Sequence, residues 1–235
     1  MKNFVAIIPA AGDSSRYSGE VPKQFLRVDG RRTVLELSIK PLLDFSECLG
    51  VCVLVPPQDH FHKTLGIKDN SKIFLAEGGT SRMGSVVKGI KFWQKSELSY
   101  DYILIHDAAR PCLRSSDVQQ LLDSIDGEVE GVVLGIPCSD TIKEVSAKGS
   151  FILNTLDRSI LWRAFTPQIF KKEILQKNAL DENIEKEFTD EASLVEANGG
   201  KLKMVKGFED NIKLTFPEDL GLIKSILSSQ GRLES

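Results

Sequence analysis

Short runs of apolar residues with no polar face punctuate this chain, and the stretches between them carry helical spacing. Phe4 to Pro9 is the first run, followed by Val51 to Val55, Ile73 to Ala76, Tyr102 to His106 and Val132 to Ile136. A strand that is apolar at every position must be covered on both faces. Such strands alternating with helices imply a mostly parallel sheet between two helical layers, an α/β fold. Ligands of such sheets lie at the carboxyl ends of the strands, often where the strand order reverses. Two segments fall at such ends, the small-residue loop from Ala10 to Gly19 and the run His106-Asp107-Ala108-Ala109-Arg110.

The intervening helices carry their own start signals. Thr33-Val34-Leu35-Glu36 is a capping box opening a helix through Leu35, Ile39 and Leu42, with Pro41 expected to kink or shorten it. Gly79-Thr80 is expected to start a helix through Val86, Val87 and Ile90, and Ser116-Asp117-Val118-Gln119 reads as a second capping box. Two short polar strands, Ser139 to Val145 and Ser150 to Leu156, flank a Lys148-Gly149 turn. Two strands alone make a poor core. The expectation is one domain over residues 1–235, with a protruding arm at about 138–165 that packs on a second copy of the chain. Helices near Lys172 to Asn178 and Asp190 to Ala197, a strand from Leu202 to Val205 and a final helix behind Pro217 complete the reading.

Composition narrows the function classes. The 235 residues carry a net charge of -3, against the basic excess of a general nucleic-acid binder, although a local cation cluster can still take a small anion. No apolar run approaches the ~18 residues of a membrane span. Residues 1–20 show no export signal. Cys48, Cys52, Cys112 and Cys138 form no C-x-x-C pair and have only His60, His62 and His106 to join them, so reduced thiols in the cytoplasm are expected rather than zinc.

The chemistry-bearing residues begin with Pro9-Ala10-Ala11-Gly12-Asp13-Ser14-Ser15-Arg16. Small residues let a backbone approach a ligand, and successive amides can cradle an anion. The loop matches neither the ATPase phosphate loop nor the dinucleotide fingerprint. Arg16 and the Lys23 of Pro22-Lys23-Gln24 would suit charge building on phosphorus; an ordinary turn with surface cations is the alternative at this point. Asp107 ends a buried strand, where a carboxylate needs a cation or hydrogen bonds. Arg110 could pair with it, or Asp107 could meet Mg²⁺ or substrate, with Asp210 a second, weaker metal candidate.

Taken together, these segments resemble a known family. Pro9-Ala10-Ala11-Gly12 through Arg16 and Pro22-Lys23-Gln24-Phe25 look like the signature of sugar-phosphate nucleotidylyltransferases, whose fold is Rossmann-like. His106 to Pro111, Asp140 to Lys143, Leu156-Asp157-Arg158, Thr166-Pro167-Gln168, Thr189 to Ser193, Asn211-Ile212-Lys213 and Pro217 to Leu220 resemble the 2-C-methyl-D-erythritol 4-phosphate cytidylyltransferases. The resemblance implies transfer of CMP from CTP to that polyol phosphate, with Mg²⁺ or another divalent cation and release of pyrophosphate. It implies catalytic roles for Arg16, Lys23, Arg158 and Lys213. A CTP pocket would involve Ala10, Ala11, Gly12, Gly79, Thr80 and Ser85, and a substrate pocket Asp107, Arg110, Thr141, Thr166 and Thr189. It further implies a homodimer in which the arm supplies Thr141 and Arg158 to the partner's site. His106 is expected to be a structural hydrogen-bonding residue.

The chain departs from the family at Ser14, where a glycine is usual, at Tyr17 for methionine and at Phe216 for arginine. Ribitol 5-phosphate cytidylyltransferases share the first loop and Lys23, but Leu156-Asp157-Arg158 with Leu161-Trp162 and the Thr189 segment favour the methylerythritol enzymes. A non-catalytic CTP-binding module would not require Arg16, Lys23, Asp107, Arg158 and Lys213 together.

Overall fold

The computed structural model describes residues 2–12, 21–57, 60–61, 65–67, 69–147, 149–179 and 188–233. In chain order the elements are β1 (Phe4–Pro9), α1 (Val34–Leu43), β2 (Cys48–Val55), β3 (Ile73–Glu77), α2 (Arg82–Gln94), β4 (Tyr102–Ile105), α3 (Ser115–Ser124) and β5 (Gly131–Pro137). There follow β6 (Ile142–Val145), β7 (Ile152–Leu156), β8 (Trp162–Lys171), α4 (Lys172–Asn178), α5 (Glu191–Ala197), β9 (Leu202–Lys206) and α6 (Asp219–Ser229). Seven of the strands form one sheet in the order β3-β2-β1-β4-β8-β5-β9.

The chain winds outward from β1 through β2 to β3, then returns to place β4 on the other side of β1, parallel to it. The order therefore reverses at β1, and the loops leaving β1 and β4 diverge there, opening a crevice at the carboxyl edge. Along β1, Phe4, Ala6 and Ile8 belong to one core and Val5 and Ile7 to the other. Alternate side chains thus bury opposite faces, the physical reason for a strand with no polar side. Helices α1 and α3 cover the first face; α2, α4 and α5 cover the second.

The Thr33–Glu36 capping box forms as expected, and Pro41 sits inside α1. The second capping signal is displaced. Helix α3 begins one residue before Ser116, and Asp117 is the residue whose carboxylate accepts the Arg114 N–H, at 3.4 Å. Helix α2 likewise starts at Arg82 rather than Gly79, because the Ser81 side chain accepts the Gly84 N–H and caps it.

Strand β8 is the element the alternation did not reveal. It inserts between β4 and β5 and runs antiparallel to both. Its sequence hides it: Val133 faces Gln168 but Leu134 faces Phe165, so Thr166 and Pro167 bulge out of the pairing with β5. Proline has no N–H to give a ladder, and a strand accommodates it at such a bulge. The first residues of β8, from Trp162, pair with β5, so the carboxyl end of the 138–165 segment lies in the main sheet. The separate two-stranded sheet is β6 with β7, antiparallel, as expected for an arm.

Among the described residues no helix is long and apolar enough to cross a membrane. The four cysteines are unpaired. Burial pushes the thiols of Cys48, Cys52 and Cys112 up to about 12, so they behave as small apolar residues.

Candidate active site

Two segments build one side of the crevice. The loop after β1 is held by Gln24, whose buried amide donates to the Ala10 carbonyl at 2.7 Å and the Gly12 carbonyl at 3.4 Å. Gln24 sits in the short helical turn Lys23–Phe25 behind Pro22, so the bond that fixes the loop also sets Lys23 beside it. Across from Ala11 lies Gly78, where a Cβ would overlap the Ala11 methyl, and a Cβ on Gly79 would overlap the Gly84 backbone. Only glycine permits both approaches. The buried Ser85 hydroxyl accepts the Gly79 N–H and donates to the Ser81 carbonyl, both at 3.0 Å. Ala10, Ala11, Gly79 and Ser85 are thus brought together, with Gly12 in the loop and Thr80 exposed beside it. Arg16 lies outside the described residues, as do Ser14, Tyr17 and His62.

Asp107, two residues past β4, is the electrostatic centre. It is 7% exposed, and its Oδ1 accepts Arg82 Nε at 2.9 Å. Its Oδ2 accepts Lys213 Nζ at 2.9 Å and Arg110 Nε at 3.3 Å. Burial alone would raise this carboxyl, but Arg82, Lys213 and Arg110 hold it well below the usual carboxylate value. Lys213 reaches the centre because the Leu214 N–H bonds the Ala109 carbonyl at 2.8 Å. Arg110 is steadied by the Asn211 carbonyl at 2.7 Å and by the Phe165 ring, 5.5 Å away. Sequence reasoning assigned Arg82 and Glu191 no role, although Glu191 lies inside the Thr189 to Ser193 segment that carries the resemblance. Arg82 forks onto the fully buried Glu191 at 2.7 and 3.2 Å, tying the start of α2 to the start of α5. Three cations meet two carboxylates here, which leaves one positive charge in excess.

Thr166 positions Asp107. Its hydroxyl accepts the Asp107 N–H at 2.9 Å and bonds His106 Nδ1 at 3.1 Å. His106 Nε2 faces the Arg110 carbonyl at 3.2 Å. A carbonyl can only accept, so Nε2 carries the ring proton and Thr166 donates to Nδ1. The histidine is wholly buried and neutral, its pKa brought down by that burial to about 4. Below pH 6.5 the unfolded chain takes up a proton that the folded chain refuses. This contribution to stability is complete above pH 6.5 and is lost as pH falls from 6.5 towards 4, by roughly 3 kcal/mol. Urea unfolding at pH 7.5 and 4.5 should therefore show a smaller acid loss for His106→Gln than for the wild type. Equal losses would mean that another group carries that window.

The other expected site residues are placed differently. Thr189 is exposed, next to Asp190, whose carboxylate caps α5 and accepts Gln168 Nε2 at 2.9 Å. Thr141 is exposed on the arm, and Arg158 donates to the Ser139 carbonyl at 2.6 Å within the arm. Neither is bonded to the Asp107 cluster of its own chain in the described residues.

Magnesium requires oxygen donors in near-octahedral array and is commonly held by one or two carboxylates with substrate phosphates. Asp107 has one lone pair left, on Oδ1, which fits an ion carried mainly by phosphate oxygens. Asp210 does not fit. Its Oδ2 accepts Arg114 and Gln230, and its Oδ1 is sealed from solvent with no hydrogen-bond partner among the described residues. No group of three or more histidine, cysteine or acidic side chains among the described residues forms a protein-only cage.

A family model described as 2-C-methyl-D-erythritol 4-phosphate cytidylyltransferase matches residues 4–229. A relative of that name from Aliivibrio fischeri (strain MJ11) is 39% identical over 228 residues, covering 96% of this chain and 94% of its own. One from Vibrio vulnificus (strain CMCP6) is 38% identical over 233 residues, covering 98% and 97%. Among solved structures, a 4-diphosphocytidyl-2C-methyl-D-erythritol synthase superposes with a TM-score of 0.80 at 32% identity, over 97% of this chain and 99% of that one. The Francisella tularensis 2-C-methyl-D-erythritol 4-phosphate cytidylyltransferase gives 0.80 at 27% identity, over 96% and 100%.

Proposed function

The chain belongs to the 2-C-methyl-D-erythritol 4-phosphate cytidylyltransferase family, and on that footing we propose how its own residues carry the reaction. It is a nucleotidyltransferase that joins CMP from CTP to 2-C-methyl-D-erythritol 4-phosphate. A phosphate oxygen of the polyol phosphate attacks the α-phosphorus of CTP. The new O–P bond forms as the bond to the β-phosphate breaks, and its electron pair leaves with pyrophosphate.

The obstacle is charge, since a phosphate dianion must approach a triphosphate. Positioning and fixed positive groups answer it. The observation that carries this reading is the convergence of Arg82, Arg110 and Lys213 on the buried Asp107 carboxylate at the switch point. Asp107 acts as a resident anion: it holds Lys213 and Arg110 poised and yields them to the incoming phosphate. Lys23 and Arg16 act on the triphosphate and the charge developing at phosphorus. Cytosine lies against Ala10, Ala11 and Gly79, where small residues let a pyrimidine approach the backbone closely. Ser85 and Thr166 shape this site through the bonds that fix Gly79 and Asp107. Asp107, through the free lone pair on its Oδ1, would hold Mg²⁺ together with the substrate phosphates, and the ion would supply charge neutralisation there.

The arm supports a dimeric catalytic unit. Phe151 is 79% exposed and Ile160 77%, with Ile152, Leu153 and Val145 also exposed on a hairpin that has no core of its own. Such a surface calls for a covering partner. A second copy would cover it and receive Thr141 and Arg158 beside its own Asp107. A cytoplasmic location accords with four unpaired cysteines, three of them buried.

Pyrophosphate release from CTP, with 2-C-methyl-D-erythritol 4-phosphate or ribitol 5-phosphate as acceptor, tests the reading. Turnover is expected with the first. Turnover with ribitol 5-phosphate alone would replace the substrate assignment, and CTP binding without release from either would remove the catalytic one.

A further inference from the structure

Away from the Asp107 cluster, α1, the start of α3 and residues 230–233 enclose a cleft of 1160 Å³ that the proposed reaction does not use. Among the described residues, three of its five cations arrive from separate segments: Arg32 before α1, Arg114 before α3 and Arg232 on the C-terminal turn, with Arg31 and Lys40 also on its wall. Arg232 is the unusual one. Its guanidinium donates to the carbonyls of Pro111 at 2.9 Å, Leu113 at 2.7 Å and Leu37 at 2.8 Å, and to Gln230 Oε1 at 3.2 Å. No carboxylate is among its hydrogen-bond partners in the described residues. Carbonyls orient a guanidinium without neutralising it, and a partly buried charge calls for a counter-ion.

The carboxylates on the cleft wall are already engaged. Asp29 is gripped by Arg32 at 2.9 and 2.6 Å, Glu36 accepts Thr33 and the Gly66 N–H, and Asp44 pairs with Lys40. Arg114 pairs with Asp210 but keeps a buried Nε without a hydrogen-bond partner among the described residues. The ten-residue α3 opens on the same cleft at Ser115 and Ser116, where the first helical N–H groups have no intrahelical acceptor and favour negative charge.

The remaining wall is aliphatic: Ile67 and Leu233 are partly exposed on it, while Leu37, Pro41 and Leu113 are buried beneath its surface. None of the described residues lining it is aromatic, so a base would find no stacking partner. We propose that this cleft is a second ligand site, for a phosphate or diphosphate ester carrying a short aliphatic body. The head group meets Arg232, Arg114 and the start of α3, and the aliphatic body lies along Ile67 and Leu233.

Titration calorimetry of the full chain with n-octyl phosphate below its micelle concentration, with CTP present to fill the active site, tests the site. Inorganic phosphate serves as the tail-less comparison. Saturable binding is expected, tighter for the octyl ester than for inorganic phosphate. The double change Ser115→Glu with Ser116→Glu puts two like charges at the rim on exposed positions where a helix tolerates acids. It should weaken binding roughly tenfold, while the Ser115→Gln, Ser116→Gln chain binds as the wild type does. Both double variants should keep wild-type turnover without the ester. Binding that is absent, is displaced by CTP or is unchanged in the Glu variant would overturn the site; equal affinity for inorganic phosphate would overturn the aliphatic body.

Discussion

Replacing Asp107 by alanine is expected to destabilise the fold by roughly 3 kcal/mol at neutral pH, the low end for removing one member of a buried ion group. Asp107 is what allows Arg82, Arg110 and Lys213 to stand together. Without it Arg82 keeps Glu191, but Lys213 loses its carboxylate and Arg110 is left with the Asn211 carbonyl and the Phe165 ring. The lower figure is the right one because the Arg82 and Lys213 side chains are 29% and 35% exposed, so water can take up part of their charge. The deficit has a pH signature. Asp107 has its pKa held well below 3.8, so its contribution is present above that value and is lost as pH falls beneath it. Urea midpoints for wild type and Asp107→Ala should be well separated at pH 7 and converge on acidification below 3.8. Matching midpoints at pH 7 would mean that Asp107 does not hold the cation cluster together.

Mixing two inactive variants should restore about one quarter of wild-type turnover if the arm completes the partner's site. The variants are Lys23→Ala and Arg158→Ala, each expected to lose roughly 10²–10³-fold in rate alone. Random exchange makes half the dimers mixed. In each mixed dimer one site carries both lesions, while the other has its own Lys23 and an intact Arg158 from the opposite arm. The structure supplies the motive: Arg158 bonds only within its own arm, to Ser139, in the described residues, and the arm exposes apolar side chains on both strands and beyond. Subunit exchange proven by mass-tagged chains, without recovery of pyrophosphate release, would place Arg158 in the site of its own chain or outside catalysis.

Much of this site was legible along the chain. Lys213 stands out only through the family resemblance of the Asn211-Ile212-Lys213 segment, whereas small residues after β1 and a carboxylate ending the buried run before Arg110 carry their chemistry in local sequence. Arg82 and Glu191 do not. They are 109 positions apart, and nothing local marks Arg82 as different from any cation in a helix's first turn. The same holds for Thr166, whose hydroxyl matters because a bulge in β8 turns it towards a backbone N–H 59 positions away.

By itself the sequence determined the layered α/β class, since only a sheet covered on both faces accepts strands such as Phe4–Pro9 with every residue apolar, and it determined which loops meet at the carboxyl edge. Tertiary structure decided the antiparallel insertion of β8 and the pairing of two distant cations, Arg82 and Lys213, with Asp107. The physical reason is range. Hydrophobic periodicity and capping act between residues a few positions apart and leave a mark on the sequence. The burial of a charge forces a choice of partner only when the sheet has closed, and that choice is written in space rather than along the chain.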